Sequence, residues 1–142
     1  ATRTRPPATT VPAEGVREGA ERVNEQIKNL TRFLYLFGRI SNGIETTEQL
    51  QAQERAGGGN AQLERTKSGL LDSVRNVRAG LDDLENYFES TPAVRRYYGN
   101  VVGVASAAAD AEAQAAAGQY DQAGRSLIGA INKLSDALLS MR

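Results

Sequence analysis

Apolar side chains recur in alternating steps of four and three residues along this chain, and this spacing restricts the fold more than any other feature. Such spacing places the residues on one stripe of an α-helix, which is then buried against other helices. The first stripe comprises Val16, Ala20, Val23, Ile27, Leu30, Leu34, Phe37, Ser41 and Ile44. Asn42-Gly43 is typical of a helix end, because these residue types readily adopt the left-handed backbone conformation. We therefore predict a first helix over residues 13–42.

A second stripe follows the triple glycine at residues 57–59, which interrupts any helix. Its members are Leu63, Lys67, Leu70, Val74, Val77, Leu81, Leu84 and Phe88. Only Lys67 is polar, and Asn60 precedes the stripe as a good N-cap. These features predict a second helix over residues 60–90.

Two further stripes lie in the C-terminal part of the chain. Thr91-Pro92 favours a helix start, because proline fits the first helical position, and Gly118 is placed to end that helix. The third stripe is mostly small and comprises Val94, Tyr98, Val101, Ala105, Ala108, Glu112 and Ala115. The fourth comprises Gly124, Leu127, Ile131, Leu134, Leu138 and Met141. The predicted helices cover residues 92–117 and 120–141.

Four stripes of equal period, joined by turns, predict an all-α fold. We expect an up-down-up-down antiparallel four-helix bundle over residues 13–142. Pro6, Pro7 and Pro12 predict that residues 1–12 form an extended arm, because proline removes a backbone donor and restricts its predecessor. Glycines spaced four apart, at Gly15–Gly19 and Gly99–Gly103, indicate close helix packing inside the bundle.

The composition excludes much catalytic chemistry. The chain contains no histidine and no cysteine, which removes thiolate and imidazole metal sites and histidine-dependent triads. Lysine plus arginine and aspartate plus glutamate each total 17, so no dominant basic field suggests nucleic-acid binding. The longest strongly apolar run, residues 33–37, is too short to span a bilayer, so any membrane association is expected to be peripheral. We expect no enzymatic activity and no bound cofactor.

A row of carboxylates on the first helix is a weaker candidate for chemistry. Glu14, Glu18, Glu21 and Glu25 share one helix face and in principle offer oxygen ligands to a cation. We favour a solvated face, because Arg17 and Arg22 stand four residues from acidic partners. Di-iron bundles also need a Glu-x-x-His motif, which this chain cannot form.

Two segments and the arm are candidate partner-binding sites. In the run at residues 33–37 the stripe uses only Leu34 and Phe37, so Tyr35 and Leu36 either face a partner or are buried by a second neighbouring helix. Arg95, Arg96 and Tyr97 lie near the start of the third helix and form the second candidate, because arginine and tyrosine are enriched at interface hot spots; ordinary solvation is the alternative.

Two stretches resemble the PsbQ-type extrinsic proteins of photosystem II, the oxygen-evolving enhancers. The run VRNVRAGL at residues 74–81, with Leu84 and Tyr87 beyond it, is similar to that family's second helix. The run AAAGQY at residues 115–120, followed by Ala123, Leu127, Ala130 and the closing LLSM at 138–141, is similar to its last turn and helix. The layout of a proline-containing arm before a four-helix bundle is also similar.

The resemblance implies a non-catalytic subunit on the luminal face of photosystem II, in a chloroplast or cyanobacterial thylakoid. Such a subunit stabilises the oxygen-evolving complex and helps to retain its calcium and chloride without binding either ion. The arm, with Arg3 and Arg5, is then the expected docking element. The alternative is a helical protein–protein interaction adaptor of an exported or soluble assembly, because Gly118, Tyr120 and Ala123 also resemble one tetratricopeptide hairpin.

Overall fold

The computed structural model describes residues 7–54 and 61–141, and every regular element within these ranges is helical. The α-helices are α1 (Pro7–Glu54), α2 (Ala61–Ser90), α3 (Tyr98–Val101), α4 (Val104–Ala116) and α5 (Tyr120–Ser140), and a 3₁₀ turn spans Arg95–Tyr97. The predicted all-α fold is therefore confirmed.

The helices form a four-helix bundle in which α3 and α4 together make the third member. α1 packs on α2, α2 on α4, α4 on α5, and α5 returns to α1, so the four members form a closed ring. Side-chain pairs show that neighbours run antiparallel. Lys67, near the start of α2, pairs with Glu48 late in α1, and Gly80 further along α2 lies beside Gln26 earlier in α1. Likewise Arg75 pairs with Glu112 late in α4, whereas Glu85, further along α2, binds the start of α4.

The core is built from the four predicted stripes. The most completely buried large side chains include Leu30 of α1, Leu81 and Phe88 of α2, and Leu127 and Leu134 of α5. The third member contributes mainly valine and alanine, because α4 lies between α2 and α5 and its small side chains allow close approach. Ser41, the polar member of the first stripe, is buried and donates its hydroxyl to the Gly38 carbonyl at 3.2 Å.

The first helix does not end at Asn42-Gly43, where the sequence predicted an end. α1 continues without a break to Glu54. Among the described glycines only Gly103 and Gly118 have positive φ, so Gly43 has no left-handed conformation. Ile44 remains on the buried stripe and Glu48 pairs with Lys67, so tertiary contacts favour continuation of the helix past a residue pair with weak helix propensity.

The start of α1 also differs from the prediction. The helix begins at Pro7, within the segment predicted to be an extended arm, and residues 1–6 lie outside the described residues. Pro7 occupies the first helical position, where the missing N–H would have no intrahelical partner. Pro12 removes one internal hydrogen bond from a helix of 48 residues, and the helix passes through it.

The third helix is interrupted rather than continuous over residues 92–117. After a turn at residues 92–94 and the 3₁₀ turn, α3 ends at Val101, and α4 begins only after Gly103, which has φ = 108°. Glu85 of α2 explains this restart, because its carboxylate Oε2 accepts the N–H groups of Gly103 at 3.0 Å and Ala105 at 2.9 Å. A side chain from a neighbouring helix thus caps the N-terminus of α4.

Replacing Glu85 by alanine should destabilise the bundle by about 1–2 kcal/mol, because two N–H groups at the start of α4 lose their acceptor. Chemical denaturation monitored by circular dichroism measures this change. The matched control is Asp82→Ala, since Asp82 is exposed on the same helix. Equal losses of stability in the two variants would contradict the capping role.

The predicted end of the third helix is confirmed. Gly118 has φ = 79°, its N–H donates to the Ala115 carbonyl at 3.0 Å, and the Gln119 N–H donates to the Gln114 carbonyl at 2.8 Å. This hydrogen-bond pattern is the glycine C-cap of a helix. It allows α5 to start at Tyr120 and return along α4.

The two glycine pairs have different roles. A Cβ atom at Gly15 would clash with Ala93 Cβ, and one at Gly19 would lie 2.7 Å from Val94 Cγ1, so both glycines permit close packing of α1 against the α2–α3 connection. A Cβ atom at Gly99 would have no neighbour within 4 Å, and Gly103 lies at the break between α3 and α4, where its backbone is left-handed. Close packing is confirmed for the first pair only.

Candidate protein-binding surfaces

Tyr35 and Leu36 lie on the solvent-facing side of α1. Tyr35 is 66% exposed and Leu36 is 51% exposed, whereas Leu30 and Phe37 of the same helix are buried. The Arg39 guanidinium lies 5.8 Å from the centre of the Tyr35 ring. Of the two interpretations of the apolar run at residues 33–37, burial of Tyr35 and Leu36 by a second helix does not occur among the described residues, and both side chains are accessible to a partner.

The exposed apolar surface extends beyond the pair that the sequence singled out. Ile40 is 39% exposed and lies one turn after Leu36, on the flank of α1 that faces α2. Leu50 is also exposed, further along the same helix. Ile40 lies within the predicted helix but outside the apolar run at residues 33–37, to which the sequence analysis restricted the candidate surface, and Leu50 lies beyond the predicted helix end at Asn42. The signal was nevertheless present, since Leu36, Ile40, Gly43, Thr47 and Leu50 follow the same steps of four and three.

A groove runs between α1 and α2 beside this row. We call it the α1–α2 groove and define it by Ile40, Gly43 and Thr47 of α1 and Gln62, Leu63 and Thr66 of α2. Its volume is about 390 Å³, and Arg39 lies at its edge. No aspartate or glutamate is among the described residues that line it. Gly43 contributes no side chain to the groove. A Cβ atom at this position would have no neighbour within 4 Å, so the groove is open on the α1 side.

The second predicted patch lies at one end of the bundle. Arg95 and Arg96 are exposed, and Tyr97 is partly buried against the core. Arg95 Nε donates to the Glu89 carbonyl at 3.1 Å, and Arg96 Nη2 donates to the Tyr97 hydroxyl at 2.8 Å. The Arg96 guanidinium also lies 4.9 Å from the centre of the Tyr97 ring. These contacts order the patch and leave both guanidinium groups accessible.

The predicted binding residues do not form one surface. The Gly15–Ala93 contact places the start of the packed part of α1 beside the Arg95–Tyr97 end of the bundle. Tyr35 lies about 30 Å along α1 from Gly15, at 1.5 Å per residue. Arg3 and Arg5 lie outside the described residues. The chain therefore presents two separate candidate surfaces, one on the side of α1 and one at the end of the bundle.

Lys67, the polar member of the second stripe, forms an ion pair that joins α2 to α1. Its Nζ lies 2.5 Å from Glu48 Oε2 of α1 and 3.9 Å from Glu64 Oε2. The hydrogen bond to Glu48 raises the pKa of Lys67 above its ordinary value of 10.5. Burial raises the pKa of Tyr120, which lies at the same junction, above its ordinary value of 10.0. The Lys67–Glu48 pair joins α1 to α2, and Tyr120 of α5 lies beside it.

These two pKa shifts predict a loss of stability in alkaline solution. Lys67 keeps its proton more tightly in the folded state, so its contribution is complete below pH 10.5 and is lost as the pH rises through its folded pKa. The Tyr120 hydroxyl ionises first in the unfolded chain, so its shift also lowers stability above pH 10. Denaturation midpoints measured from pH 9 to 12 should fall less steeply in a Lys67→Met/Tyr120→Phe variant. Identical slopes would contradict the prediction.

A second polar network joins α2 to α4. Arg75 Nε donates to Glu112 Oε2 at 2.6 Å, and Arg78 Nη1 lies 2.9 Å from Glu112 Oε1 without the alignment of a hydrogen bond. Glu112 was the acidic member of the third stripe, and this pairing explains how a carboxylate is accommodated there. Arg75 also pairs with Asp72 at 3.1 Å, so its charge is directed within the bundle rather than toward a partner.

The carboxylate row on α1 is exposed to solvent. Glu18 pairs with Arg22 at 3.1 Å, and Glu14, Glu21 and Glu25 are exposed. Among the side chains that the structure describes, no group of three or more acidic residues is arranged to hold a metal ion. Within residues 7–54 and 61–141 no helix combines the length and hydropathy needed to cross a membrane.

Comparisons with protein-family models, with curated proteins and with solved structures found no match to this chain.

Proposed function

We propose that this protein is a non-catalytic subunit of a larger protein assembly. The observation that carries the proposal is the exposed apolar surface of α1, which consists of Tyr35 and the row that begins at Leu36 and lies outside the packed core of the bundle. Large apolar side chains that gain nothing from the protein's own core are stabilised when a partner removes them from water. The ordered arginines at Arg95 and Arg96 supply a second contact with polar character.

The assembly that we propose is photosystem II, with the protein on its luminal face. Support comes from the resemblance to the PsbQ-type proteins in the second helix and the last hairpin, together with the four-helix architecture. In this role the protein is peripheral to the thylakoid membrane and contacts other subunits of the complex. It stabilises the oxygen-evolving complex and helps to retain calcium and chloride by shielding neighbouring subunits.

The second candidate is a helical adaptor of another exported or soluble assembly. The exposed row on α1 supports an adaptor as well as it supports a photosystem II subunit. An exposed apolar surface calls only for a protein partner, and this argument does not use the resemblance to the PsbQ-type proteins. The hairpin of α4 and α5, with Gly118 at the turn and Tyr120 and Ala123 buried, has the packing expected of one tetratricopeptide-like unit.

A salt wash of thylakoid membranes from the source organism, followed by mass spectrometry, distinguishes the two candidates. The photosystem proposal expects the protein in the wash and in purified photosystem II before the wash. Its absence from both would overturn that proposal and favour the adaptor.

Rebinding to washed membranes tests the surfaces. A Tyr35→Ser/Leu36→Ser variant should rebind more weakly than the unaltered protein, and a chain lacking residues 1–12 should also rebind more weakly. Leu139→Ser is the matched control, because Leu139 is an exposed apolar residue of α5. Equal rebinding of all variants would show that neither the α1 row nor the N-terminal segment binds the complex.

A further inference from the structure

We infer that the α1–α2 groove binds an acidic amphipathic helix of a partner protein. The inference rests on the proposed function, because it names the chemistry of the segment that the partner contributes. Three features of the groove carry it: the spacing of its apolar residues, the open packing of α1 against α2, and the charge at its rim.

The first feature is a second contact row on α1. Leu36, Ile40, Gly43 and Thr47 follow steps of four and three along the flank that borders α2. This is the spacing with which one helix packs against another. The first row of α1 is used by the bundle core, but Leu36 and Ile40 remain substantially exposed. α1 therefore has one contact row that is occupied and one that is available for a further helix.

The second feature is the open packing between α1 and α2. The α1–α2 groove contains about 390 Å³, and two further cavities of about 210 Å³ and 180 Å³ lie between the same helices, with Gly80 in the wall of both. Gly80 contributes no side chain to the α2 wall of these cavities, and the Gln26 side chain of α1 lies beside it, 3.5 Å from the position that a Cβ atom would take. A helix laid along the α1–α2 groove would bury apolar atoms on both α1 and α2. The 180 Å³ cavity is lined by Glu25 and Asp83 and therefore lies outside the proposed site.

The third feature is the positive charge at the rim of the groove. Arg39 lies at its edge, Arg65 follows Gln62 by one helical turn, and Arg32 precedes Leu36 by one turn. Arg32 bonds to the neutral amide of Asn29 at 3.2 Å, and Arg65 bonds to that of Gln62 at 3.3 Å.

Four other arginines of the bundle already have carboxylate partners, whereas Arg17, Arg95 and Arg96 resemble the rim arginines in pairing with none among the described residues. Within the described residues, Arg22, Arg75, Arg78 and Arg125 each pair with a carboxylate at 3.1 Å or less, while none of the three rim arginines does. An acidic helix would supply the missing carboxylates, and arginine binds carboxylates with two parallel hydrogen bonds where the geometry allows.

Charge also decides against a second copy of this chain as the occupant. In a two-fold symmetric dimer the same surface patch meets itself, which would place the rim arginines of one copy against those of the other. A flat anionic lipid surface would match the charge, but it would contact only the outer edge of a concave groove. We therefore assign the groove to a helix with an apolar row and acidic flanks.

The test uses the whole protein and a designed helical peptide of about 18 residues, which is about 27 Å long. The peptide carries leucine in steps of four and three and glutamate on both flanks, and a matched peptide carries lysine in place of glutamate. Fluorescence anisotropy at low and high salt measures binding. We expect the glutamate peptide to bind at least about tenfold more tightly than the lysine peptide, with the difference shrinking as salt screens the charges.

Variants of the protein locate the site. Ile40→Glu and the double variant Arg39→Gln/Arg65→Gln should each weaken binding of the glutamate peptide by about tenfold or more. Ile128→Glu, on the exposed face of α5, should leave binding unchanged. Circular dichroism melting confirms that each variant is folded, and the exposure of Ile40 makes its replacement tolerable.

Several outcomes would overturn the inference. Equal affinity for the two peptides, no binding of the glutamate peptide, or equal effects of Ile40→Glu and Ile128→Glu would each do so. Concentration-dependent dimerisation abolished by Ile40→Glu would assign the groove to a second copy instead. Binding to anionic vesicles, lost in Arg39→Gln/Arg65→Gln without any peptide binding, would assign it to lipid. A photosystem wash that lacks the protein leaves this test intact, so failure of the proposed assembly and failure of the inferred partner chemistry are separate results.

Discussion

Replacing Phe88 by alanine should lower the free energy of unfolding by about 3–5 kcal/mol, more than any other single substitution considered for this protein. The Phe88 side chain has no exposed surface, and its ring meets that of Tyr87 edge-on with 5.7 Å between ring centres. Gly19 of α1 packs directly against it. Truncation removes buried apolar area and leaves a cavity where α1, α2 and the α2–α3 connection meet.

Urea denaturation monitored by circular dichroism measures this loss. Leu139→Ala is the matched control, because Leu139 is 64% exposed and its truncation should change stability by less than about 0.5 kcal/mol. Similar losses in the two variants would mean that Phe88 does not lie in the core. A smaller slope of the unfolding free energy against urea concentration in Phe88→Ala would indicate a less compact native state rather than a cavity.

Two glycines of α1 should respond in opposite directions to alanine. Gly19→Ala should destabilise the protein by about 1–3 kcal/mol, because the new methyl group would lie 2.7 Å from Val94 Cγ1 and 3.3 Å from Phe88 Cζ. Gly43→Ala should stabilise it by about 0.5–1 kcal/mol, because Gly43 lies inside a continuous helix and its new methyl group would have no neighbour within 4 Å. Urea denaturation of the two variants measures both changes.

The Gly43 variant also tests the course of α1. If the helix ended there in a left-handed conformation, as the Asn42-Gly43 sequence suggests, alanine would be destabilising by about 1 kcal/mol. A destabilised Gly43→Ala variant would therefore contradict the continuous helix and, with it, the second contact row that runs through Gly43. Gly38→Ala is a further control, since Gly38 also lies within α1 without close neighbours.

The prediction from sequence succeeded best where local signals and tertiary packing agree. α2 and α5 begin and end within about two residues of their predicted bounds, because a strong apolar stripe, a break at each side and a buried face all indicate the same helix. Gly118 ends the third helix as predicted, because its left-handed conformation is a local requirement that glycine meets without strain.

The prediction was wrong where a distant side chain decides the local structure. Glu85 lies 18 residues before Gly103 in the chain, and only the bundle brings its carboxylate to the start of α4. Nothing in the apolar spacing of the third stripe indicates that break. Conversely, Asn42-Gly43 has the composition of a helix end, but buried Ile44 and the Lys67–Glu48 pair lie beyond it and keep α1 helical.

Only part of the candidate binding surface could be predicted from the sequence, because the rest depends on the tertiary structure. Tyr35 and Leu36 were found because they interrupt the spacing of the first stripe with extra apolar residues. Ile40 was missed because it lies outside the apolar run at residues 33–37, and Thr47 was missed because the second row crosses Gly43 and its later part is visible only if the helix continues. The rim arginines were missed because their lack of carboxylate partners is a property of three-dimensional neighbours, not of sequence spacing.

The four packed helices of this chain follow from its amino-acid order alone, because a repeating apolar stripe can be buried in few other ways. The same order excludes chemistry that needs histidine or cysteine. Three features depend instead on the folded bundle: where α1 ends, where the third helix breaks and which apolar residues remain exposed. Each of these depends on contacts between residues far apart in the chain, and such contacts outweigh the small propensities of single residues.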